Sequence, residues 1–205
     1  MNINFQNITI VFNEKKIIDN LSFEIKSNQK AVLIGNSGSG KSSLINVLLG
    51  FVKPTNGDIF INKIKLIKST KSELRKNFAW VPQELNFPNT NVRDFILLPF
   101  SFNQNKLLKP VEENIEILLN NFLLDISLLD KSLNELSGGE KQRMTLVSAI
   151  LLKRPILLFD ELTSALDSKS KNAVMDFVFS LKDTTILSAS HDEEWIERCD
   201  VKIKL

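Results

Sequence analysis

The chain has 205 residues, 43% of them apolar and 24% charged, with 26 basic against 24 acidic side chains and a net charge of +2. That length suits one domain with a sizeable core, and so even a charge balance argues against a nucleic-acid partner. The one cysteine, Cys199, excludes an intrachain disulfide and fits a reducing compartment. The opening MNINFQNITI lacks the basic start and apolar run of a secretory signal, and no apolar run approaches the ~18 residues that cross a bilayer.

INFQNITIVF and LSFEI place apolar residues at alternate positions, as half-buried antiparallel strands do. KAVLIG (30–35) is a short continuous apolar run ending in glycine, the pattern of a buried strand. KSSLINVLLG (41–50) has helical spacing and stops at Gly50, and PTNGDIFIN reads as a turn followed by a strand. The lysine-rich KIKLIKSTK (63–71) reads as solvated surface, and NFAWVPQ (77–83) as a short strand running into a loop. From about 91 to 153 the spacing turns helical, in NVRDFILLPF, VEENIEILLNNFLL and SGGEKQRMTLVSAILL. Strands return in PILLFD (155–160) and TTILSAS (184–190) around a helical SKSKNAVMDFVFSLK; a short helix DEEWIERC and an edge strand VKIKL follow. The expected fold is α/β: a core from 1–90 and 154–205 with an antiparallel β subdomain, and a helical subdomain inserted at 91–153.

GNSGSGKS (35–42) matches G-x-x-x-x-G-K-[ST] between a strand and a helix, the setting that motif requires. Gly35, Asn36, Ser37, Gly38, Ser39 and Gly40 would turn their N–H groups onto phosphates at a helix N-terminus. Lys41 would reach the β- and γ-phosphates, Ser43 would join the nucleotide contacts, and Ser42 would reach Mg²⁺. PILLFDE ends an apolar strand in two acids. A buried carboxylate is costly unless paired or metal-bound, so Asp160 is a second candidate for Mg²⁺, and Glu161 is placed to polarise water.

LSGGEKQR (136–143) opens the helix after it. Ser137 and Glu140 form the S-x-x-E of a capping box, which needs nothing from Gly138 and Gly139. Two poor helix formers in a first turn point instead to close approach of a phosphate. Lys141, Gln142 and Arg143 read as an exposed polar turn.

In this order the motifs resemble the ATPase subunits of ATP-binding-cassette (ABC) transporters, over essentially the whole chain. GNSGSGKS resembles the Walker A loop, Gln83 in VPQE the Q-loop, LSGGEKQR the family signature, ILLFDE Walker B, SALD (164–167) the D-loop, and His191 in SASHD the switch histidine. The resemblance implies a P-loop ABC-type ATPase with a RecA-like core, binding ATP and Mg²⁺. Two copies would pair head to tail, each ATP lying between the Walker A loop of one and the signature of the other. Ser137 and Gly139 would then meet the γ-phosphate of the partner's ATP. Gln83 would touch Mg²⁺ or the water and couple the site to a membrane permease. Asp167 would shape the dimer interface, and His191 would meet the γ-phosphate. The family's adenine-stacking tyrosine has no counterpart, since the chain has none; Phe12 lies at the matching place, and a core phenylalanine at a strand end is the competing reading.

Leu162 stands where the family has proline after the Walker B glutamate, and Ser148 where it often has arginine in the signature helix. Packing must therefore hold the one loop, and a salt bridge typical of the family is in doubt. FDELTSALD, ILLPFSF and the ending resemble compact bacterial Fet-type subunits linked to iron export; lipoprotein, peptide or small-molecule exporters are the alternative. The implied place is the cytoplasmic face of a membrane, held there by the permease. Phe87, Phe95 and Phe100 form either part of the permease-facing patch or subdomain core. Chromosome-type ATPases carry long coiled-coil insertions for which this chain has no room, and ribosome factors carry two cassettes. Intact Lys41, Glu161 and His191 argue against a non-hydrolysing regulator.

Overall fold

A computed structural model describes residues 1–84 and 90–205. The chain folds into two compact units, one formed by 1–80, 154–161 and 182–205, the other by 81–153 and 162–181. The second thus takes in 162–181 besides the helical stretch expected at 91–153.

The first unit holds two sheets. β1 (Ile3–Phe12), β2 (Lys15–Ile25), β4 (Asn56–Ile61) and the short β5 (Ile64–Lys65) form an antiparallel sheet in the order β2-β1-β4-β5. The alternation of β1 is not regular. Ile3 and Phe5 are buried, then Ile8 and Ile10, and the pairing slips between Phe5 and Ile8. Asn7, with φ at +52°, absorbs the extra residue, a conformation asparagine tolerates better than most side chains.

The second sheet has the order β6-β7-β8-β3-β9, from β3 (Lys30–Ile34), β6 (Phe78–Val81), β7 (Ile156–Asp160), β8 (Thr185–Ala189) and β9 (Val201–Lys204), with β9 on an edge as expected. β7, β8, β3 and β9 run parallel. Every residue of β7 and β8 is buried, which is why β7 reads as a nearly unbroken apolar run, while β8 buries Thr185 and Ser188 among Ile186, Leu187 and Ala189. α1 (Lys41–Leu48) sets Leu44, Ile45 and Leu48 into one core with Leu33, Leu158 and Leu187. Truncating one of these leucines to alanine would cost about 2–5 kcal/mol. α2 (Lys71–Arg75) and β5 were not legible in the sequence; both lie in or beside the lysine-rich run taken for plain surface.

The second unit is helical: α3 (Val92–Leu97), α4 (Glu112–Asn121), α5 (Gly138–Leu151) and α6 (Ser168–Ser180), with 3-10 turns at Leu98–Ser101, Asn103–Leu108, Ile126–Asp130 and Leu133–Glu135. α3 is shorter than NVRDFILLPF suggested. Pro99 lies at the start of the following turn, and a proline has no N–H to extend an α-helix. α5 is buried nearly all round, packed against α3 and α4. Phe100 belongs to the core and Phe95 is half-buried; Phe87 lies outside the described residues. Among the described residues no helix is long and apolar enough to cross a membrane.

Candidate active site

Three neighbouring parallel strands bring the chemistry together. β8 lies between β7 and β3, with Ala189 paired to both Asp160 and Leu33. The segments that leave their carboxyl ends are therefore neighbours: 35–42 after β3, Glu161 after β7, and His191 after β8. In an open α/β sheet this is the edge where ligands bind.

The glycine-rich loop after β3 turns through Gly38 at φ +80° and Gly40 at φ +102°. Gly40 caps α1 at φ +102°, and a β-carbon there would lie 2.7 Å from the Ile17 side chain, so neither backbone nor packing admits another residue. Lys41 is buried, and its Nζ donates to the carbonyls of Gly35 (2.8 Å) and Asn36 (3.3 Å). The same Nζ lies 2.9 Å from His191 Nε2. An ammonium only donates, so Nε2 accepts and the ring proton is on Nδ1. His191 Nε2 is also 3.6 Å from Glu161 Oε1.

Asp160 is buried at the end of β7, and its Oδ1 has no hydrogen-bond partner. Burial raises the Asp160 pKa above the ordinary carboxylate value, while the Ser42 hydroxyl and Lys41 pull it down. A desolvated carboxylate that keeps one oxygen bare beside a serine hydroxyl suits a hard divalent cation with oxygen ligands. Glu161 is raised too, chiefly by burial, while the backbone N–H of His191 and the charge of Lys41 pull it down. Its backbone is left-handed, φ +52°, held by its N–H to the carbonyl of Ala189 at 2.9 Å. Such a conformation costs about 1–3 kcal/mol and persists where surroundings impose it. Leu162, in the other unit, is buried as its replacement of proline required.

In the helical unit the LSGGEKQR stretch has both halves of its capping box. Ser137 Oγ accepts from Glu140 N–H at 3.3 Å and donates to Glu140 Oε2 at 2.7 Å, while Ser137 N–H donates to Glu140 Oε2 at 2.8 Å. The two glycines differ. A β-carbon on Gly138 would meet nothing within 4 Å, leaving that N-terminal face open. One on Gly139 would lie 2.9 Å from the Ala165 carbonyl, so close backbone approach within the chain already demands this glycine.

The turn expected to be exposed is not. Gln142 is 2% and Arg143 9% exposed. Arg143 reaches the end of α4, where Nη1 donates to the carbonyls of Phe122 (2.8 Å) and Leu123 (3.0 Å), and Nε donates to Gly139 O at 3.3 Å. The polar letters KQR concealed a buried clamp. Ser148 takes the place of the missing arginine with a hydrogen bond from Oγ to Ile96 O at 3.1 Å. Asp167 caps α6, accepting from Ser170 N–H (3.0 Å) and Ser170 Oγ (2.7 Å), which lower its pKa. Gln83 is exposed in the second unit. Phe12 is 66% exposed, so the reading of it as a core residue fails.

The family model described as ABC transporter matches residues 18–164. The energy-coupling factor transporter ATP-binding protein EcfA1 of Mycoplasmopsis synoviae (strain 53) is 32% identical over 93% of this chain and 74% of its own length. The lactococcin-G-processing and transport ATP-binding protein LagD of Lactococcus lactis subsp. lactis is 31% identical over 99% of the chain, which spans only 30% of that protein. A Rickettsia typhi protein named for export ATP-binding and permease function is likewise spanned for 36% of its length. Among solved structures, a dimeric bacterial ABC transporter cassette superposes with a TM-score of 0.85 at 25% identity, covering 98% of this chain and 94% of that one. A post-hydrolysis dimeric cassette bound to ADP and Pi gives 0.85 at 26%, covering 99% and 94%. The chain belongs to the ABC transporter family, in which it is an ATP-binding ATPase cassette.

Proposed function

We propose that this cassette hydrolyses ATP as a head-to-tail homodimer and energises transport through a separate permease. The observation that carries the reading is the meeting of Lys41, Asp160, Glu161 and His191 at the carboxyl ends of three adjacent strands. Lys41 holds the β- and γ-phosphates against the N–H groups of residues 35–43. Glu161 takes the proton of the attacking water, its burial-raised pKa bringing it nearer to neutral operating pH. His191 orients the γ-phosphate. Ser42 and Asp160 would hold Mg²⁺, which when bound neutralises charge on the phosphate oxygens.

The partner copy supplies Ser137, Gly138 and Gly139, the open first turn of α5, across the nucleotide. Its support is the unblocked face at Gly138 and the dimeric state of the similar cassettes. Asp167, exposed at the N-cap of α6, faces that interface. Phe12 offers a free ring to adenine. Gln83 couples the nucleotide to a permease at the cytoplasmic face of a membrane. Metal export as the cargo has only the loop resemblance behind it; the relatives are named for energy-coupling factor and lactococcin transport.

Two measurements test this. Lys41→Ala is expected to lose nucleotide turnover; unchanged ATPase activity overturns the site. Purification of the native protein from membranes is expected to bring a multi-span permease with it. Recovery with ribosomes or DNA instead overturns the transport role.

A further inference from the structure

A cavity in the first unit shares no residue with the glycine-rich loop 35–42. Its volume is about 560 Å³, within the range of small-ligand sites. It opens between the end of α1, the loop 52–54, β4, β5 and the start of α2. Val47, six residues on from Lys41 and so about 9 Å along the helix, lines it with Ile59, both buried. Leu66 adds to these walls, and Val52 and Ile67 line it too, 45% and 47% exposed. Ile64 and Phe51, next to these residues in sequence, are exposed as well.

Four lysines line the cavity, Lys53, Lys65, Lys68 and Lys71, against one acid, Asp58. Asp58 is engaged by Lys65 at 2.8 Å. Among the described residues, Lys53, Lys68 and Lys71 make no ion pair. The cavity thus combines apolar walls with three uncompensated ammonium groups. A free inorganic anion would gain nothing from the walls, and a nucleic acid would use the lysines but not the cavity. An acid head on an acyl chain uses both. The exposed Phe51, Val52, Ile64 and Ile67 beside interspersed lysines are what an interfacial, anionic-lipid-binding surface presents.

We propose that this cavity and its lysines bind an anionic phospholipid at a membrane surface, one acyl chain lying against Val52, Leu66 and Ile67. The site is independent of nucleotide turnover, so its failure would leave the ATPase reading untouched.

The test is co-sedimentation of the purified full chain with phosphatidylcholine vesicles, with and without phosphatidylglycerol. Binding is expected only with the anionic lipid, falling as salt rises. Each lysine near such a surface contributes about 1 kcal/mol, so the triple variant Lys53→Gln, Lys68→Gln, Lys71→Gln should bind about 100-fold more weakly. Ile64→Ser with Ile67→Ser, which leaves the charge alone, should weaken binding about 10-fold or more. Dioctanoyl phosphatidylglycerol should compete, and glycerol phosphate should not. An unchanged thermal melt in each variant shows that the fold is intact. Equal sedimentation with neutral vesicles, or none with either, overturns the proposal. So does full binding by the serine variant, which would mean adsorption by charge alone, or equal competition by glycerol phosphate, which would mean a free-anion site.

Discussion

The ammonium of Lys41 lies 2.9 Å from Nε2 of His191, and the same ring nitrogen lies 3.6 Å from Oε1 of Glu161. The histidine thus stands between the candidate phosphate-binding cation and the candidate base, and it accepts from the lysine. If Lys41 holds the terminal phosphates as proposed, a nucleotide must displace this contact.

Removing the acceptor should therefore free Lys41. A hydrogen bond to a charged donor is worth about 1.5–3 kcal/mol at most in net terms, and two carbonyl partners remain, so a gain near 1 kcal/mol is expected. His191→Ala should bind ADP about 3–5-fold more tightly while losing turnover, checked by titration calorimetry and a phosphate-release assay. Unaltered or weaker ADP binding would show that the contact does not compete.

Asp160 makes a prediction of the opposite kind. Its folded pKa is raised, so its ionisation opposes folding: the cost appears as pH rises past the unfolded value near 3.9 and is fully present above the folded one. At neutral pH, Asp160→Asn should raise the melting temperature of the nucleotide-free protein by about 2–4 °C, as a ~1 kcal/mol gain does at this chain length. Turnover should be lost. Adding Mg²⁺ and ATP should stabilise the native protein more than the variant, closing the gap in a thermal-shift assay. A variant less stable than the native protein without ligand would contradict the burial argument.

Arg143 ties the first turn of α5 to the end of α4 in the second unit. Arg143→Ala would strand the Phe122 and Leu123 carbonyls and loosen the first turn of α5. A loss of about 2–3 kcal/mol is expected, from hydrogen bonds to a charged group, read as a lower urea midpoint. Arg143→Lys should recover only part of it, because an ammonium lacks the planar fork.

The contrast between Arg143 and Lys41 shows where sequence reading succeeds. Lys41 was legible because a glycine-rich loop between a strand and a helix constrains backbone, charge and position together. Continuous apolar runs likewise announced β3 and β7. Arg143 was hidden because a polar letter carries no sign of whether a carbonyl waits 20 residues away. Gly139 was legible as an anomaly, but its steric cause, the Ala165 carbonyl, lies on a distant loop. The lysine-rich run 63–71 misled in the other direction: composition said surface, and only the fold showed lysines beside apolar walls.

The head-to-tail pairing is tested most directly by Glu161→Gln. A glutamine keeps the shape of the side chain but accepts no proton, so turnover should fall by about 100-fold or more while nucleotide binding remains. In size-exclusion chromatography with millimolar Mg²⁺ and ATP, the variant should elute as a stable dimer and return to monomer when ATP is removed. Elution as a monomer with ATP bound would contradict the shared active site.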